Sequence, residues 1–333
     1  MIRIQLITIF LFASTIFSTV GQSNKTKKMT TENSKSNPLI CDPVEGICGT
    51  PDSNKTGAVN AQKSLKPVKV VYFTDPICSS CWGIEPQLRK LKLEYGDYLE
   101  IEYRMGGLLP DWSYNSGGIS KPSDVAHHWD EVSAHYDMPI DGDVWLEDPL
   151  DSSYPPSIAF KAAQLQSEAK AILFLRAMRE LVFLKKKNIA KWEHIAAAAE
   201  QVGLNVQQLK SDFDGKAKIL FEDDLKLAKQ YGVRGFPTMF FLTETGGQEI
   251  VNGSKPYPFY ETSVLKLLPQ AAKKEYGKEW ETLFAKYNSL TAKEFAELSG
   301  TPRAATEKVL DDLVKQGKLK KLNTKNGAIW MMV

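Results

Sequence analysis

At 333 residues the chain is too long for one ordinary small domain, and its length points to two. Its 43% hydrophobic and 25% charged residues are normal for a folded protein; 42 basic against 40 acidic side chains leave a net charge of +2, which excludes a strong electrostatic pull toward nucleic acid or lipid. Four cysteines are too few to staple a chain of this size, so the core must come from ordinary packing and the thiols are left for chemistry.

Arg3 precedes an apolar run from Leu6 to Val20, followed by Gly21. This is the shape of a secretory signal peptide over residues 1–21, and it predicts a periplasmic or secreted protein. Retained instead of cleaved, residues 6–20 would be a short anchor giving transient membrane association. Residues 22–66 are rich in Ser, Asn, Lys and Thr and read as a flexible tether. Within it Cys41 and Cys48 flank Pro43 and Gly46, residues that favour a turn between two thiols.

Val68 to Thr74 is a β-branched and aromatic run, hence a buried strand, ended by Asp75-Pro76. A helix is expected from the first cysteine of Cys78-Ser79-Ser80-Cys81 to about Tyr95, then a strand from Tyr98 to Met105 closed by Gly106-Gly107. Residues 111–217 are mainly helical, with apolar positions at helical spacing over Ala159–Leu165 and Ile172–Leu184, and read as an insertion covering the sheet. A helix over Phe221–Tyr231, strands over Thr238–Leu242 and Gln248–Asn252 joined at Gly246-Gly247, and a helix over Tyr260–Leu268 follow. In the tail, Thr291-Ala-Lys-Glu294 is a capping box and Thr301-Pro302 restarts a helix. Leu319–Leu322 and Ala328–Met332 can then pair, so residues 273–333 read as a winged-helix-like module.

The chemistry centres on Cys78 and Cys81. Two cysteines one helical turn apart can close a small disulfide ring, and a helix N-terminus offers unpaired N–H groups and partial positive charge to the first of them. Cys78 is therefore expected to be the exposed nucleophile and Cys81 the buried resolving thiol. The second signal is Phe236-Pro237-Thr238. A proline opening a strand cannot donate to the sheet, and a cis bond there would aim the Phe236 backbone at the cysteines, where an extended substrate could pair with it.

Phe73-Thr-Asp-Pro-Ile-Cys-Ser-Ser-Cys-Trp82, with Gly232-Val-Arg-Gly-Phe-Pro-Thr238 about 150 residues later, resembles the DsbA-like branch of the thioredoxin superfamily. Met105-Gly-Gly-Leu-Leu-Pro110 and the long helical stretch are similar to the subgroup that includes FrnE-type proteins and the cytosolic adapters that deliver a redox regulator to the ClpXP protease. The resemblance implies an α/β fold: a thioredoxin-like core over residues 67–272 with a helical insertion at 111–217. It also implies a nucleophile at Cys78, a resolver at Cys81, a cis-proline at Pro237, and substrate contact through Phe236, Pro237 and Trp82. No cofactor, metal or nucleic acid is expected; the expected partners are protein thiols and disulfides and a redox partner. The leading expectation is a protein disulfide oxidoreductase. The alternative is a thioredoxin-fold adapter whose redox site is regulatory or vestigial; a kappa-class isomerase is disfavoured by Cys81.

Each pattern has a plainer reading. Cys78 and Cys81 could form a structural disulfide or half of a zinc site. Cys41 and Cys48 could be a small structural disulfide, or a second redox pair that exchanges with Cys78. His127, His128, His135 and His194 read as surface or core residues. Asp75 and Glu85 are usually solvated carboxylates, though one could take a proton from Cys81. In residues 289–333, eight Lys and Arg face five Asp and Glu, with Glu307, Asp311 and Asp312 on the second helix, which reads as a docking module better than a DNA-binding one.

Overall fold

The structure is a computed structural model that describes residues 41–42, 46–49, 65–113 and 119–333. The signal-peptide and anchor readings of residues 1–21 fall outside these residues, as does most of the tether. The described residues belong to one compact unit.

The chain enters through a very short hairpin, β1 (Cys41–Asp42) and β2 (Ile47–Gly49). Next comes β3 (Val68–Thr74), all seven of whose residues are buried; six are β-branched or aromatic, and the buried Lys69 is paired with Glu102. Two helices, α1 (Ser79–Gly83) and α2 (Glu85–Tyr95), carry the chain to β4 (Leu99–Met105). The single helix expected here is broken at Ile84. Pro86 has no N–H to give the Trp82 carbonyl, so the ladder cannot run through.

Among the described residues, seven helices lie between β4 and the next strand: α3 (Pro122–Tyr136), α4 (Val144–Glu147), α5 (Tyr154–Gln166), α6 (Glu168–Leu184), α7 (Trp192–Gln201), α8 (Val206–Asp214) and α9 (Lys216–Gln230). Then come β5 (Gly235–Phe236), β6 (Thr238–Leu242), β7 (Gln248–Asn252) and α10 (Tyr257–Leu267). The central sheet has the order β4-β3-β6-β7; β3 is parallel to β4 and antiparallel to β6, with Phe73 opposite Thr238. This is the thioredoxin-like core. A row of aromatic contacts ties the insertion to it: Trp82 stacks on Phe183, Phe183 meets Trp129, and Trp129 meets Trp145 edge to face at 5.2 Å.

The C-terminal module comprises α11 (Trp280–Lys286), β8 (Ser289–Thr291), α12 (Ala292–Ser299), α13 (Arg303–Lys315), β9 (Leu319–Thr324) and β10 (Gly327–Met332). Its sheet runs β8-β10-β9 over a second apolar cluster that includes Phe284, Phe295, Leu310 and Trp330. The capping box is present: Glu294 N–H donates to Thr291 Oγ1, and Thr291 N–H donates to Glu294 Oε2 at 2.8 Å. Helix α13 starts one residue later than expected, with Pro302 in the capping position, because Thr301 Oγ1 accepts from Ser299 Oγ instead of capping.

Glu294 does more than cap. It is fully buried and receives Arg176 of α6 through two bonds of 2.7 and 3.1 Å, with Arg89 of α2 at 3.3 Å. Burial opposes its ionisation, yet the two guanidinium groups hold its carboxyl below the ordinary range. One carboxylate thus fastens the C-terminal module to both α2 and α6. Removing one member of a buried ion cluster leaves an unpaired charge, so Glu294→Ala is expected to destabilise the chain by about 3–5 kcal/mol. Urea unfolding of the variant against the parent measures this, and a loss near that of a surface ion pair would contradict it.

Candidate functional site

The site forms where β3 ends. Asp75 is buried and organises the loop: Ile77 N–H donates to its Oδ1 at 3.0 Å, while Leu108 N–H and Ser153 Oγ donate to its Oδ2 at 2.8 and 2.9 Å. These bonds hold the cysteine loop against the chain after β4 and the start of α5. Cys78 then caps α1 in extended geometry, and its Sγ accepts from Cys81 N–H at 3.1 Å. The Ser80 and Tyr136 hydroxyls bond at 2.6 Å. Gly83 lets α3 approach, since a Cβ there would lie 2.6 Å from the Tyr136 ring.

Arg179 supplies the charge. It is fully buried and donates to Thr74 Oγ1 at 2.7 Å, to the Asp75 carbonyl at 3.2 Å and to Glu85 Oε1 at 2.6 Å. Glu85 is therefore paired rather than solvated, and Asp75 accepts three hydrogen bonds. The sequence reading did not single out Arg179, although two arginines, Arg176 and Arg179, amid the apolar Ile172–Leu184 pattern were the available signal: a buried charge needs a partner.

Cys78 differs most from expectation. Both free thiols, Cys78 and Cys81, are fully buried rather than exposing the first. Burial pushes the Cys78 thiol up, outweighing the Cys81 N–H and the Arg179 charge, which favour its thiolate. The cover is the chain's own hairpin. The Phe236–Pro237 bond is cis, and β5 pairs antiparallel with β2, placing Cys48 opposite Phe236 and Gly49 opposite Gly235. The strand-like pairing expected for a substrate is made here by residues 48–49. Cys48 Sγ lies 3.5 Å from Cys78 Sγ and 3.2 Å from Ser80 Oγ.

The other expected site residues are placed as follows. Phe236 packs against the β4 exit, where a Cβ on Gly106 would lie 1.9 Å from its ring. Trp82 is fully buried, donates from Nε1 to the Pro139 carbonyl at 3.0 Å and packs on Phe183, so its ring faces the insertion and not a client. Cys48 is disulfide-bonded, and Cys41 faces it across the β1–β2 ladder; the Cys41 side chain lies outside the described residues. His127 is exposed beside Glu131, away from the thiols, and burial lowers the pKa of His128.

Two outcomes are expected. First, burial raises the Asp75 carboxyl from 3.8 to about 6 against its three hydrogen bonds. Its native state holds the proton more tightly than the unfolded state, so its contribution is fully present below about pH 4 and is lost as pH rises through about 6, by about 3 kcal/mol at most. Asp75→Asn cannot titrate there, so from pH 4 to 7 the parent's urea midpoint should fall relative to the variant's; a constant difference contradicts this. Second, a Cβ at Gly235 would lie 2.6 Å from the Cys48 carbonyl oxygen. Gly235→Val should therefore unseat the hairpin and speed iodoacetamide alkylation of Cys78 by about tenfold or more. An unchanged rate would mean that the hairpin does not shield the thiol.

The thioredoxin family profile matches residues 72–262. The ClpXP adapter protein SpxH of Halalkalibacterium halodurans is 35% identical over 301 residues, covering 88% of this chain and 97% of that protein. SpxH of Bacillus subtilis is 30% identical over 270 residues, covering 80% and 89%. Among solved structures, a candidate protein disulfide isomerase from Nitrosomonas europaea shares the fold, with a TM-score of 0.54 and 20% identity over 62% of this chain and 99% of its own. These relatives overturn the periplasmic or secreted placement read from the N-terminus: the similarity is to the adapters, the cytosolic members of the subgroup, and it spans most of the chain. An apolar run after one arginine is a signal of composition alone. Among the described residues no helix is long and apolar enough to cross a membrane. The chain belongs to the thioredoxin family, within the DsbA-like subgroup that includes these ClpXP adapter proteins.

Proposed function

We propose that this chain is a protein-binding adapter on a thioredoxin-like scaffold, bringing a client to ClpXP, with Cys78 and Cys81 as a regulatory redox site. The observation that carries the reading is the extent of the similarity. A match over 88% of the chain leaves out too few residues to omit the C-terminal module, whereas the disulfide isomerase covers 62% of it. The Halalkalibacterium halodurans adapter therefore shares residues of the C-terminal module. That module is joined to the thiol site through Glu294, Arg176 and Trp82, with Arg176 lying 4.3 Å over the Trp82 ring. A module so attached suits docking, and the closed thiol site suits regulation better than rapid turnover.

A second reading, protein disulfide oxidoreductase, draws on one feature: Cys78 caps a helix within reach of Arg179 and beside the Phe236 strand. The two separate cleanly. With both thiols removed as Cys78→Ala and Cys81→Ala, the adapter reading expects retention of purified ClpXP and of the redox regulator within about threefold of the parent in a pull-down, a change below about 1 kcal/mol. Loss of both interactions, with abundant client–Cys78 mixed disulfides in Cys81→Ser, would instead make the chain an oxidoreductase.

A further inference from the structure

The hairpin over Cys78 has a built seat. Gly235 lies under the Cys48 carbonyl oxygen and the Ile47 side chain, where a Cβ would sit at 2.6 and 2.8 Å. On the other side Gly46, in left-handed geometry at φ 66°, lies against the Ser254 backbone, where a Cβ would come within 2.5 Å, and Ser254 N–H donates to its carbonyl. Two glycines at backbone-to-backbone approaches, a ladder between β2 and β5, and a sulfur aimed at Cys78 together describe a bound substrate more than a chance contact. Cys48 is disulfide-bonded, Cys78 and Cys81 are free, and the chain has four cysteines, which leaves Cys41, its partner across the ladder.

We infer that residues 41–49 are an intramolecular substrate of the Cys78–Cys81 pair, so that the two cysteine pairs exchange one disulfide within the chain. The Cys78 thiolate attacks Cys48 Sγ; a Cys78–Cys48 bond forms, the Cys48–Cys41 bond breaks, and Cys41 leaves as a thiolate that takes up a proton. Cys81, having lost its proton, then attacks Cys78 Sγ; a Cys78–Cys81 bond forms, and Cys48 leaves and is protonated. Two electrons and two protons pass from the active-site dithiol to the hairpin disulfide, with no external oxidant or reductant, and the reverse sequence is equally balanced. The 3.5 Å separation of the two sulfurs is that of reacting atoms held ready. Strands of two and three residues cannot hold a hairpin together without their cross-link, so reduction frees the segment and opens the edge of β5 to another extended chain. The exchange itself does not rest on the adapter reading; only the use of the opened groove for a client does.

The test reads exchange on the full chain alone. Cys81→Ser with the hairpin disulfide formed is held at mildly alkaline pH, alkylated, digested without reductant and mapped by mass spectrometry. A linkage between the Cys48 and Cys78 peptides is expected in the monomer and is absent from Cys78→Ser. An intact hairpin disulfide with Cys78 alkylated, or Cys78 joined only to Cys41 or to a second chain, overturns the inference. Should Cys81→Ser fail to fold, the parent chain first oxidised to two disulfides and then given one equivalent of dithiothreitol, which leaves one disulfide and one dithiol, decides. Its thiols are expected to distribute between the two pairs at a rate independent of protein concentration and slowed about tenfold or more in Gly235→Val. A rate that scales with concentration, or one unmoved by that substitution, overturns it equally.

Discussion

The buried guanidinium groups of Arg176 and Arg179 hold this protein together at its most demanding point. Both lie on α6, three residues apart, and a charge in that position is tolerated only when it is paired; Arg179 Nε is nonetheless left without a hydrogen-bond partner among the described residues. Arg179 is matched toward the thiol loop, by Thr74, the Asp75 carbonyl and Glu85. Arg176 is matched toward the C-terminal module, by Glu294, and along its own helix by Glu180. The insertion, the cysteine helices and the tail module therefore share one polar core. The aromatic row from Trp82 to Trp145 runs beside it and gives the apolar half of the same junction.

This junction ties a thioredoxin-like core to its C-terminal module. In a simple exchange enzyme the first thiol stands at the surface and the edge beside the cis-proline stays open. Here the edge is filled by β2 and the thiol is buried beneath it, with its ionisation opposed by desolvation. A closed site of this kind favours holding a state over turning over many substrates. The Asp75 loop and Arg179 hold the two cysteines in place, and the hairpin covers them.

Much of this was legible in the residues. Val68–Thr74 carries its burial in its β-branched and aromatic composition, the Cys78–Cys81 spacing carries its place at a helix start, and Thr291 with Glu294 carries the cap, because each depends on neighbours a few residues away in sequence. The break at Ile84 was also within reach, through Pro86. The burial of Cys78 was not, because it depends on a segment 30 residues upstream whose own composition reads as a loose tether. The apolar run at Leu6–Val20 misled for a related reason: hydrophobicity and length describe a segment and not the place where the protein works.

The sequence by itself determined the α/β class, the thioredoxin-like core, the cysteine pair with its distant proline strand, and the winged-helix-like tail, since periodicity, capping and motif spacing are local properties of the chain. Only the tertiary structure decided that Glu294 meets Arg176 and Arg89, that Arg179 serves the thiol loop, and that Cys48 faces Cys78. Those contacts join residues from 30 to more than 200 positions apart, and packing alone sets which of many possible partners a buried charge or sulfur finds.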